Sequence, residues 1–160
     1  MHDEYRKPKA PPAIGHAALA MKEGFYLEAI TLYEGVIEYL LLNYFNSIRD
    51  SQVRFASLSA LVGKLRASLN EHTLSDSEQR LMDLLYDLEL WSKSLMAMRY
   101  EVAEVQEEQH WKKALKLQKK KAKQARKFHK KITSVLLKIE RDEMATDKPA
   151  TQRKISATDN

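Results

Sequence analysis

The chain has 160 residues, a hydrophobic fraction of 44%, a charged fraction of 31% and a formal net charge of +5. That length supports one domain with a real core. With no cysteine, disulfides, thiol catalysis and thiolate metal sites are excluded.

Residues 1–12 carry three prolines and no periodic apolar pattern, so they read as a flexible N-terminal arm. The start has no apolar core of the kind a secretory signal needs. A first short helix is expected from about Ala13 to Glu23, stopped by Gly24. The second runs from about Tyr26 to Ile48, with Ile30, Tyr33, Val36, Ile37, Leu40, Leu41, Tyr44 and Phe45 at helical spacing. Gly24 through Tyr33 resembles a single tetratricopeptide unit, but one unit cannot bury its own faces, and a plain helix hairpin is the expectation. The third helix covers about Ser57 to Leu69, with Ser57 as cap.

Between Gly63 and Pro149 there is neither glycine nor proline. The fourth helix opens there on Ser75-Asp76-Ser77-Glu78, a capping-box pattern. Leu81, Leu84, Leu88, Trp91, Leu95, Met98, Val102 and Val105 follow in steps of three and four, a seam suited to an antiparallel neighbour. One rod from Asp76 to Met144 would be ~100 Å long, too long for a small domain, so a turn is expected at Gln106–Gln109, where the seam lapses. The fifth helix runs from about His110 to Met144 on a stripe of Trp111, Leu115, Ala122, Ala125, Phe128, Ile132, Val135, Leu136 and Ile139. Residues 145–160 read as a disordered tail, which leaves 13–144 as one domain. The expected class is all-α, an up-and-down bundle of four to five helices. No apolar run approaches the ~20 residues of a membrane span. The localisation expected is cytoplasmic, without membrane contact.

Chemistry-bearing motifs are few. The five histidines have no metal-ligand spacing, and the four scattered glycines cannot build a phosphate loop. No metal and no cofactor are expected. The densest feature is a basic block free of acids: Lys112, Lys113, Lys116, Lys119, Lys120, Lys121, Lys123, Arg126, Lys127, Lys130 and Lys131. Such a block can neutralise phosphates of RNA or another nucleic acid with little sequence preference. It can equally be a solvated face opposite the acids of the fourth helix, Asp83, Asp87, Glu89, Glu101, Glu104, Glu107 and Glu108. The block offers no interleaved aromatics for base stacking, since Phe128 stands at core spacing.

The segment Leu88 to Glu104, together with the helix pair at 16–48, resembles the HEPN superfamily of small helical-bundle proteins. The likeness covers most of 13–144 in helix order. It implies a long early helix pair, a short connecting helix, a motif-bearing helix and a long closing helix. In active members a motif arginine and a histidine, with four to six residues between them, meet across a homodimer and cleave RNA without metal. Arg99 stands at the arginine position and Tyr100 where a polar residue is usual, while the histidine window holds Glu104, Val105 and Gln106. The reading is therefore a non-catalytic HEPN-like module. It is expected to form a homodimer through Trp91, Leu95 and Met98 and to bind a protein partner in a prokaryotic toxin–antitoxin, defence or regulatory setting. Two alternatives stand beside it. One is a divergent ribonuclease using Arg99 with Glu104 or His110, or Arg66 with His72. The other is a nucleic-acid binder using the 112–131 block without cleavage.

Overall fold

A computed structural model describes residues 10–49, 54–55, 57–104 and 108–146, with the backbone alone at 10, 11, 102–104, 108 and 109. The described residues form five α-helices: α1 (Ala10–Glu23), α2 (Tyr26–Arg49), α3 (Leu58–Leu69), α4 (Asp76–Glu104) and α5 (Glu108–Ala145). No strand occurs among them. Residues 1–9 of the expected arm, 147–160 of the expected tail, and Gln106 and Glu107 of the expected turn lie outside the described residues, as does Val105; Glu108 and Gln109, expected in the turn, open α5 instead.

The helix ends follow local chemistry. α1 begins at Ala10 rather than Ala13, because Pro11 and Pro12 fall in the first turn, where no intrahelical N–H donor is required. Its far end is a Schellman motif. Gly24 adopts φ 81°, the Phe25 N–H donates to the Ala20 carbonyl at 2.8 Å, and the Gly24 N–H donates to Met21 at 3.3 Å. At α3 the Ser57 Oγ accepts from the Ala60 N–H at 3.2 Å. At α4 the capping box closes both ways: Ser75 Oγ accepts from the Glu78 N–H at 3.2 Å, and Glu78 Oε1 accepts from the Ser75 N–H at 3.4 Å.

Helices α2, α3, α4 and α5 pack as a ring, each against the next, and α1 lies against α2. α4 and α5 form an antiparallel hairpin. Its register is fixed by the Trp91 and Phe128 rings at 5.5 Å, by Lys121 Nζ donating to Ser94 Oγ at 2.7 Å, and by Ser77 Oγ donating to Asp142 Oδ2 at 2.9 Å. α2 runs parallel to α5: the Tyr33 ring meets His129 at 6.0 Å, while further along both helices Tyr44 feels the charge of Glu143. One core joins Ile30, Tyr33, Ile37 and Leu41 of α2, Leu61 and Leu65 of α3, Leu81, Leu85, Leu88 and Leu95 of α4, and Ala122, Ala125 and Ile132 of α5.

Three expectations change. The α4 seam turns inward at Leu85, not Leu84, because α4 must meet α3 on one flank as well as α5 on the other; Leu84 is half-buried. Trp91, Leu95 and Met98 are 4%, 0% and 2% exposed within a single chain, so they are core residues and not a dimer surface. Trp111 and Leu115, expected inside, are 50% and 41% exposed. The cause is length. Tyr26, the first residue of α2, is seven residues before Tyr33, which puts it level with Ala122, seven before His129. Leu115 and Trp111 lie roughly 10 and 16 Å beyond that level at 1.5 Å per residue.

Leu95 is fully buried and Met96, its neighbour, is 74% exposed. Leu95→Ala is expected to lower the unfolding free energy by about 2–5 kcal/mol through lost burial and a residual cavity. Met96→Ala should move it by no more than about 0.5 kcal/mol. Urea denaturation of the three proteins checks both values.

Candidate functional site

The position that aligns with the HEPN motif arginine is committed to the scaffold. Arg99 Nη2 reaches from α4 to α2, where it pairs with Glu34 Oε1 at 2.5 Å and donates to Thr31 Oγ1 at 3.4 Å. His110 is in the first turn of α5, across the chain reversal, and its side chain is exposed. Glu104 closes α4, and its side chain lies outside the described residues. The second arginine–histidine spacing also divides between carboxylates. Arg66 pairs with Glu89 and lies over the Tyr86 ring at 5.3 Å, whereas His72 Nε2 meets Glu78 Oε2 at 3.0 Å. The Lys93 hydrogen bond, aided by the Lys93 and Arg66 charges, holds the Glu89 carboxyl below its ordinary value against an opposing desolvation. These pairs fasten α2 to α4 and α3 to α4. They do not converge on a cleft. Among the described residues no group of His, Asp and Glu has the geometry of a metal site.

The basic block has a different geometry. Lys112, Lys116, Lys119, Lys123, Arg126 and Lys130 alternate steps of four and three along α5, so they form one row on its outer side. All six are exposed. Lys113, Lys120, Lys127 and Lys131 flank the row and are exposed too. The core side of the same helix repeats the steps with Gln118, Ala122, Ala125, Ile132 and Ile139. Burying that side turns the cations outward. The exception is Lys121, which is half-buried against Ser94. Burial, with Lys120 alongside, pushes its pKa below the usual lysine value.

The acids of α4 were expected to face these lysines. Among the described residues none of the ten outer cations from Lys112 to Lys131 is in an ion pair; Glu108 belongs to α5 rather than to α4, and the side chains of Glu104, Glu107 and Glu108 lie outside the described residues. Glu89 is taken by Arg66 and Lys93, and Lys138, beyond the block, by Asp142. Asp83 and Asp87 come nearest. With Arg80 and Leu84 they form one wall of an open groove of about 460 Å³ whose other wall is Lys130, Lys131, Ser134 and Val135. Those carboxylates weaken the positive field at the C-terminal end of the row.

Trp111 is the site residue that the sequence reading placed inside. Its position beside Lys112 was visible in the sequence, but its exposure depends on where α2 begins. Compared with models of protein families, with curated proteins and with solved structures, the chain matches none.

The Arg99–Glu34 pair is partly exposed, with side chains at 40% and 20%. A double-mutant cycle of Arg99→Ala and Glu34→Ala is expected to give a coupling of about 0.2–1 kcal/mol, read by thermal or urea unfolding.

His129 is half-buried, and burial first, then Lys130, lowers its pKa from the ordinary 6.5. The folded chain therefore binds fewer protons at this site than the unfolded chain just below that value. This contribution to stability is complete above about pH 6.5 and is lost as the pH falls toward the lower folded value. His129→Gln should flatten that part of the stability–pH curve, measured by urea midpoints between about pH 5 and 8.

Proposed function

We propose that this protein is a non-catalytic helical-bundle module that binds nucleic acid by its phosphate backbone, using the outer face of α5. One observation carries the reading: a row of six exposed cations, unpaired among the described residues, on a rigid helix whose other side is locked in the core. From Lys112 to Lys130 the row is ~27 Å long, with a charge about every 5 Å. A nucleic-acid strand offers a phosphate every ~3.4 Å along a duplex axis, so the two charge arrays are of similar density. Lysine makes a point-charge contact without the base-edge geometry that specifies sequence, so backbone positioning dominates.

The HEPN-like scaffold belongs to the same proposal in its non-catalytic form. The helix order and Arg99 on α4 fit that layout. The missing histidine and the Glu34 carboxylate on Arg99 argue against phosphate chemistry there. A guanidinium already satisfied by a carboxylate would have to break that pair to stabilise a phosphorane.

Fluorescence anisotropy with a labelled duplex tests the reading. Engaging roughly five phosphates should weaken binding about 10²–10³-fold on raising salt from roughly 50 to 200 mM. Lys116→Glu with Lys119→Glu and Lys123→Glu should reduce affinity at least about tenfold and flatten the salt slope, while Lys64→Glu on α3 should leave it unchanged. Salt-independent binding, or binding to anionic vesicles with none to nucleic acid, would reject the proposal.

A further inference from the structure

We infer that the N-terminal end of α5 selects single-stranded nucleic acid, with one base stacked on Trp111 and the neighbouring phosphates held by Lys112, Lys116 and Lys119. This deepens the backbone-binding reading and rests on it. The starting observation is an aromatic side chain left uncovered beside a cationic row. Trp111 is 50% exposed and Leu115, one turn on, is 41% exposed. Both continue the buried stripe of α5, and both are uncovered because α2 begins level with Ala122. The other tryptophan, Trp91, is packed on Phe128 in the core.

Helix geometry brings the two features together. Leu115 is one turn from Trp111 at i−4, from Lys112 at i−3 and from Lys119 at i+4, so these four side chains share one patch. Lys112 and Lys116 carry the charge onto the outer face. An indole with cations about a turn away suits a strand whose base lies on the ring while its phosphates meet the ammonium groups. A duplex cannot use the indole in this way, because both faces of each base are already stacked and only the edges are open. The aromatic therefore adds affinity for an unstacked strand and none for a paired one.

The same charges argue against a second copy of the chain as the occupant. Apposing two such patches would bring Lys112, Lys116 and Lys119 of each copy against their equivalents, a like-charge contact that opposes association. A polyanion meets the opposite situation and gains on approach.

The test uses the full chain, titrated with an oligo(dT) of roughly 20 nucleotides and with a duplex of the same length, by anisotropy and by tryptophan emission. Oligo(dT) is expected to quench emission, since Trp111 is the accessible one of the two tryptophans. Trp111→Ala should weaken oligo(dT) binding by roughly 5- to 150-fold and leave duplex binding as it was, and Trp111→Phe should retain most of the single-strand affinity. Salt-dependent binding of both ligands, with no quenching and no effect of Trp111→Ala, would overturn this inference and leave backbone binding intact. Absence of salt-dependent binding to either ligand would overturn both. A dimer in sedimentation velocity that Trp111→Ala converts to monomer would overturn this inference alone, by giving the patch to a second copy.

Discussion

The burial of one side of α5 against α2 and α4 fixes the rest of the molecule. α5 has 38 residues and contributes small or branched residues, Ala122, Ala125, Ile132 and Ile139, to the core. The alanines let neighbouring helices approach closely, and each larger buried side chain contributes about 1.5–3 kcal/mol of transfer free energy. Once that stripe faces inward, the rotation of the helix is set and the lysine row has only one place to go. An ammonium without a partner is too costly to bury, so the apolar contacts and the charge distribution favour the same rotation. Lys121 shows the limit of this rule. Its four-carbon stem lies at the α4 contact, and its charged end is met by the Ser94 hydroxyl.

Unequal helix lengths decide what the end of the hairpin presents. α2 has 24 residues where α4 has 29 and α5 has 38. Beyond the start of α2, the first turns of α5 lose the cover that α2 gives further along. Core-type residues therefore become surface residues there with no change in the periodic pattern. The result is an apolar, aromatic margin running directly into the cationic row. At the opposite end of the bundle, Tyr44 is half-buried. Burial, then Glu78 and Glu143, raises its hydroxyl pKa.

Arginine and histidine spacings in this chain show why a motif is not a site. Arg66 and Arg99 face carboxylates on other helices, Glu89 and Glu34, and His72, in the α3–α4 connection, faces Glu78 in the first turn of α4. Each pair joins two elements, so the charges act as fasteners. The densest run of cations without an ion pair among the described residues lies on α5, where no spacing motif pointed to chemistry. What distinguishes them is that none is in an ion pair among the described residues, a property of three-dimensional arrangement.

The sequence by itself determined the five helices and several of their ends. Apolar spacing, the Ser57 cap, the Ser75–Glu78 box and the Gly24 stop are local, and each recurs in the structure because its partners lie within one helical turn. That the chain divides between α4 and α5 was legible from the lapse of the seam, but α5 begins at Glu108, inside the span expected to turn, and Gln106 and Glu107 lie outside the described residues. The cationic block was also plain in the sequence. Tertiary structure decided which apolar residues are covered. Leu85 replaces Leu84 because α4 is flanked on two sides. Trp91, Leu95 and Met98 are core because their own chain supplies the opposing surface, and Trp111 is exposed because α2 stops short of it. A one-dimensional pattern records that a face is apolar. Whether that face is covered depends on the length and register of another helix, which no spacing within the first can encode.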